Sequence, residues 1–235
     1  VFVKDLAREP SSWIPLTAGG GEAIYDVVGH GDRLFVRTNA GASRYRVFAV
    51  RAGAYAREAW EEIVPEDPEA VIDGAFVAGG QLVLHVMRRA ASALEIRALD
   101  GSHPREVALP SMGSVTGISG RADQDTLYFG FESFDRPDEI WQTDLQTGET
   151  TLFHRTSAPV EPGSLEVEQV VYPSKDGTEI TMFVVRKPGT QRDGERPTRL
   201  YGYGGFNISL TPSFCALVVG WVEAGGVYAL PNLRG

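Results

Sequence analysis

Between about Ala23 and Arg155 apolar and polar residues alternate in short runs broken by polar gaps. One unit is Arg33-Leu-Phe-Val-Arg-Thr38, a gap, then Arg44-Tyr-Arg-Val-Phe-Ala-Val50. The next is Gln81-Leu-Val-Leu-His-Val86, a gap, then Ala93-Leu-Glu-Ile-Arg-Ala-Leu-Asp-Gly101. A third is Thr126-Leu-Tyr-Phe-Gly-Phe131, a gap, then Asp138-Glu-Ile-Trp-Gln-Thr-Asp-Leu145. Period-two alternation with β-branched and aromatic residues predicts strand pairs, and helical spacing is hard to find before residue 160. Leu34, Leu82 and Leu127 open equivalent strands, 48 and then 45 residues apart. A repeat of that length built from antiparallel strands is the signature of a β-propeller blade. Three blades do not close a ring, since propellers have about 4–8. Either further blades precede Val1 or another molecule completes the ring, and the first is the simpler expectation.

The rhythm changes after Arg155. Thr156-Ser-Ala-Pro-Val-Glu-Pro-Gly-Ser164 reads as a linker. Leu165 to Tyr172 and Thr178 to Val185 alternate around Pro173-Ser-Lys-Asp-Gly177, which predicts a hairpin. Thr198 to Tyr203 reads as a strand, Ser213 to Glu223 as a helix and Val227 to Arg234 as a further strand. Hairpin, strand, Gly-rich loop, helix and strand is how an α/β sheet opens. The expected organisation is therefore mixed: a partial β-propeller of about three four-stranded blades over 1–160, then the opening strands of an α/β domain over 161–235.

Composition narrows the function. Net charge is −9, with −8 falling on residues 1–160, so a phosphate backbone would be repelled and nucleic acid is not an expected partner. The densest acidic stretch, Glu58 to Asp73, holds Pro65 and Pro68 and reads as a solvated loop. No run of about 18 apolar residues occurs, so no membrane-spanning helix is expected. Cys215 is the only cysteine, which leaves no internal disulfide, and the four histidines lack metal-ligand spacing. Neither metal nor cofactor is expected. A cytoplasmic location fits this cysteine usage, with the periplasm as the alternative.

The string that carries chemistry is Leu200-Tyr-Gly-Tyr-Gly-Gly-Phe-Asn-Ile-Ser209. Glycines directly after a strand let the backbone turn sharply and approach a ligand closely. In α/β hydrolases a loop at this place supplies part of the oxyanion hole. Together with Tyr172-Pro-Ser-Lys-Asp-Gly-Thr178 and Asn232-Leu-Arg-Gly235, this string resembles the prolyl oligopeptidase family of serine peptidases. Phe131-Glu-Ser-Phe-Asp-Arg-Pro137 and Ile140-Trp-Gln-Thr-Asp-Leu145 resemble that family's last propeller blade.

The resemblance implies roles for two residues. Tyr203 matches the hydroxyl donor of the family's oxyanion hole. Phe206 matches a phenyl ring lining the proline pocket. The implied function is cleavage of short proline-containing peptides on the carboxyl side of proline. The implied catalytic triad matches nothing here: no Gly-x-Ser-x-Gly occurs and no histidine lies beyond His154. The chain is thus expected to be inactive alone, the triad lying in a missing remainder of the same polypeptide.

Other residues receive plainer readings. Tyr201 is expected to pack, His85 to be structural, Ser209 and Ser213 to be loop or capping residues, Arg234 a surface charge and Cys215 buried and inert. Two alternatives stand beside the leading one. A relative with basic-residue specificity would need pocket carboxylates outside this segment. A non-catalytic propeller that binds partners would have no need of an oxyanion-type loop.

Overall fold

A computed structural model describes residues 1–7, 10, 12–17 and 21–233, with Asn207 described by its backbone only. A short antiparallel pair, β1 (Phe2–Val3) and β2 (Ile14–Pro15), precedes the repeats. The first repeat is an antiparallel sheet of β3 (Tyr25–His30), β4 (Arg33–Thr38), β5 (Arg46–Arg51) and β6 (Glu61–Val64), in that order. The second contains β7 (Ala70–Ala78), β8 (Gln81–Arg88), β9 (Ala91–Arg97) and β10 (Arg105–Val107). The third contains β11 (Ser114–Gly120), β12 (Thr126–Ser133), β13 (Arg136–Asp144) and β14 (Thr150–Arg155).

Each repeat is a four-stranded meander whose strands follow chain order, the arrangement of a propeller blade. Leu34, Leu82 and Leu127 occupy the second position of the second strand in each blade. The sequence period therefore marks structurally equivalent sites.

The last sheet is mixed. It contains β15 (Glu166–Pro173), β16 (Glu179–Arg186), β17 (Thr198–Leu200) and β18 (Val227–Pro231), with helix α1 (Ala216–Glu223) between β17 and β18. The spatial order is β15, β16, β18, β17. β15 and β16 form the expected hairpin, running from the pair Glu166–Arg186 to the pair Pro173–Glu179. β17 runs parallel to β18, which requires a crossover, and α1 lies within that crossover.

By contacts the chain divides into two compact units. One comprises 1–86, 94–106 and 120–125; the other comprises 87–93, 107–119 and 126–235. In the first unit, Val36, Phe48, Val50 and Trp60 form a buried cluster. The Phe48 and Trp60 rings meet edge-on at 5.8 Å. In the second unit, Phe183 and Val185 of β16, Tyr228 and Leu230 of β18, and Val218 and Val222 of α1 pack together. Phe134, from the β12–β13 turn, enters the same cluster, 5.7 Å from Phe183 and 6.1 Å from Tyr228. Burying a ring of this size stabilises by roughly 1.5–3 kcal/mol.

Several expectations are corrected here. The Glu58–Asp73 stretch is not one loop, because β6 and the start of β7 lie within it. Glu61 and Glu62 are exposed while Ile63 and Val64 are buried, so the charges occupy the open beginning of a strand whose end is in the core. The helix begins at Ala216 rather than Ser213. The last strand ends at Pro231 instead of reaching Arg234. Cys215 is exposed, not buried, since it sits at the helix N-terminus before the buried face begins at Val218.

Candidate functional site

β17 ends at Leu200, so the Tyr-Gly-Tyr-Gly-Gly-Phe string lies beyond the strand rather than on it. The Tyr201 amide still donates to the Ala229 carbonyl at 3.0 Å, carrying the ladder one residue further. Gly205–Asn207 then form a 3-10 turn, which the Ile208 amide closes onto the Gly205 carbonyl at 3.1 Å. Inside that turn Phe206 is left-handed, with φ 55° and ψ 31°. A bulky residue in that region costs about 1–3 kcal/mol and persists only where its surroundings over-determine it. Its ring is 93% exposed, the most open of the large apolar side chains described.

The Tyr203 phenol lies across Gly205. A Cβ at residue 205 would stand 2.9 Å from the Tyr203 hydroxyl oxygen, so glycine leaves room that another residue would take from the phenol. One loop therefore carries both residues to which the sequence assigns chemistry: a phenol that can donate a hydrogen bond and a phenyl ring open to solvent.

The arm leaving this turn is held at alternate residues. Asn232 Nδ2 donates to the Leu210 carbonyl at 2.9 Å. Ser114 Oγ donates to the Pro212 carbonyl at 2.7 Å. The Phe214 amide donates to Glu132 Oε2 at 3.0 Å. Asn232 is itself fixed by Thr181, whose hydroxyl donates to Asn232 Oδ1 at 2.8 Å. Burial, chiefly, holds the Glu132 carboxyl above its ordinary pKa; the Phe214 amide opposes the shift and the Asp138 charge adds to it.

Beside the arm lies a cavity of about 420 Å³, lined by Phe134, Arg199, Tyr201, Ser213, Cys215 and Tyr228 among others. Burial, chiefly, also raises the Tyr228 pKa above its ordinary 10.

The remaining candidates fall as follows. Tyr201 lines this cavity and is 48% exposed, so it packs on one side only. His85 Nδ1 lies 3.1 Å from Asp73 Oδ2 on the neighbouring strand β7, an ion-pair arrangement within a blade. Ser209 and Ser213 are exposed loop residues; the helix N-cap is Cys215, which makes no side-chain capping bond. Arg234 lies outside the described residues. Among the described residues no group of three or more His, Cys, Asp or Glu side chains is placed to hold a metal.

Sequence reasoning missed Ser114 and Glu132. Both sit in blade strands that read as ordinary alternation. The one signal was that Glu132 belongs to the Phe131–Pro137 string singled out by resemblance.

Known proteins place this architecture. Residues 1–156 match the family described as Prolyl oligopeptidase, N-terminal beta-propeller domain. The chain belongs to the prolyl oligopeptidase family. It is 33% identical to a prolyl endopeptidase of Elizabethkingia miricola over 237 residues, which covers all of this chain and 33% of that protein. It is also 30% identical to prolyl oligopeptidase A of Galerina marginata over 254 residues, covering 100% of this chain and 34% of the relative.

Among solved structures, one from a study of two prolyl endopeptidases and the role of inter-domain dynamics superposes with a TM-score of 0.88 at 40% identity. That superposition covers 100% of this chain and 34% of the other. The apo form of prolyl oligopeptidase B from Galerina marginata superposes with a TM-score of 0.84 at 26% identity, over 100% and 34% of the two chains. The chain thus spans about one third of the length of the curated relatives it matches. Residues after 156 lie outside the matched propeller domain but within the stretch shared with these family members.

Proposed function

We propose that the chain forms part of a serine peptidase that cleaves short peptides on the carboxyl side of proline. In this reading residues 1–160 are propeller blades and 161–235 open an α/β-hydrolase domain. The observation that carries it is a single strained loop holding the Tyr203 phenol over Gly205 beside the open Phe206 ring.

The chemistry follows from what each group can do. When a serine attacks the scissile carbonyl, negative charge collects on the carbonyl oxygen. The Tyr203 hydroxyl donates a hydrogen bond to that oxygen, and a donor held in place beforehand needs no reorganisation as the charge develops. Phe206 offers an apolar face to the proline ring on the acyl side. The serine, its histidine base and the orienting aspartate come from residues other than those of this chain.

The test is Tyr203→Phe in the whole protein, assayed on a chromogenic peptide with proline before the reporter bond. Loss of one oxyanion donor is expected to lower kcat by about 10²–10³ with little change in KM. An unchanged kcat would sink the assignment of Tyr203.

A further inference from the structure

We propose that Glu132 and Ser114, two side chains of the third blade, are positioning residues for the Tyr203–Phe206 loop. This rests on the reading of that loop under Proposed function and adds to it the groups that hold the loop in place.

The loop has two arms. Its entry arm is continuous with β17 through the Tyr201 amide bond to Ala229. Its exit arm, Ile208 to Cys215, belongs to no strand or helix, so its backbone groups have no ladder to satisfy them. Those at Pro212 and Phe214 are taken up by Ser114 and Glu132. Both side chains come from the blade, and 98 and 82 residues separate each from its backbone partner. Ser114 is buried, which makes its bond to Pro212 costly to lose.

The blade is bent where Glu132 sits. The β12–β13 register shifts between the pairs Phe131–Glu139 and Ser133–Arg136, so Pro137 and Asp138 stand opposite the single residue Glu132. That is a β-bulge, a device that re-aims a side chain near functional sites. Pro137 is tolerated there because a bulge frees it from the ladder.

Opposite that bulge in β13, the regular strand β12 directs a half-buried carboxylate onto a main-chain amide eight residues beyond Phe206. Its burial is unfavourable for the charged form, a cost that helix or sheet packing alone would not require. An exit arm fixed at Leu210, Pro212 and Phe214 leaves the strained turn few ways to relax, which holds the phenol on its target.

The experiment uses the whole protein and the proline reporter peptide. Glu132→Ala is expected to lower kcat about tenfold or more while KM stays within about twofold, since small misplacement of a catalytic donor costs up to about 10²-fold. Glu132→Gln, which keeps an acceptor for the Phe214 amide, should recover most of that loss. Ser114→Ala should lower kcat in the same sense and keeps the question answerable if Glu132→Ala does not fold, as judged by far-UV circular dichroism.

The decisive arm repeats Glu132→Ala in the Tyr203→Phe background. If Glu132 acts through the phenol, the second substitution lowers kcat little further; full multiplication of the two losses overturns the proposal. Glu132→Ala and Ser114→Ala with unchanged kcat, beside a crippled Tyr203→Phe, also overturn it while leaving the loop assignment standing. An unaffected Tyr203→Phe overturns the loop assignment itself, and this proposal with it.

Discussion

The third blade and the C-terminal sheet are both four-stranded, yet they are built on different terms. In β12 burial alternates through all eight residues, with Leu127, Phe129, Phe131 and Ser133 inward. Its strands pair only with chain neighbours, and its most deeply buried carboxylate finds its partners within the blade. Glu139 is fully buried and is met by Arg155 at 2.8 Å, Arg136 at 3.3 Å and the Trp141 indole at 2.8 Å. The C-terminal sheet has no such closure. β15 is half-buried for most of its length and every residue of β17 is exposed. Its core is carried by β16, β18 and α1, with Phe134 of the blade turn set into it. A meander pairs its strands locally; a mixed sheet needs a crossover and elements farther away in the chain.

The sharpest way to break this comparison is to remove the ring the two regions share. Phe134→Ala should cost about 3–5 kcal/mol, because the cavity it leaves cannot collapse between Phe183 and Tyr228. Urea unfolding monitored by tryptophan fluorescence measures it, and a loss under about 1 kcal/mol would show that the C-terminal core does not depend on the blade.

Turns offer a finer test. At Gly101, φ is +80° and a Cβ would stand 1.9 Å from the Ile63 carbonyl oxygen. Gly101→Ala should therefore destabilise by about 1–3 kcal/mol through overpacking, besides the backbone strain. Gly177, in the β15–β16 turn, has φ +84° with open space around it. Gly177→Ala should cost only the left-handed backbone, about 1–2 kcal/mol. Equal losses in thermal unfolding would mean that neighbours matter no more in a blade turn than in the C-terminal hairpin.

The smallest effect concerns pH. A hydrogen bond from His85 is the main cause that holds the Asp73 pKa below its ordinary 3.8; burial opposes it, and the charges of His85 and Arg37 assist. A carboxylate with a depressed folded-state pKa adds stability that is full above 3.8 and is lost as pH falls through the folded value. Asp73→Asn should therefore flatten the acid limb of stability below about pH 4. An identical acid limb in both proteins would remove this pair from the account.

Much of the fold was legible because local signals agreed with one another. The leucine spacing located the second strand of every blade, and Asp176-Gly177 located the C-terminal hairpin turn. Counting charges misled over Glu58–Asp73, because Glu61 and Glu62 are the exposed beginning of a strand whose Ile63 and Val64 are buried. Cys215 misled for a related reason: an apolar neighbourhood suggested burial, but α1 buries only Val218, Val219 and Val222 and leaves Leu217 exposed. For the site, Tyr203 and Phe206 could be named from the string alone. Their left-handed turn and the grip of Ser114 and Glu132 could not, since partners 98 and 82 residues apart leave no local pattern.

By itself, then, the order of residues determined the strands, the blade period and the loop that carries a phenol and a phenyl ring, because period-two alternation and glycine turns act over a few bonds. Only the tertiary structure decided which side chains complete the loop. A free backbone amide or carbonyl takes whatever donor or acceptor the fold brings within about 3 Å, and that choice is made by packing between segments that share no sequence neighbourhood.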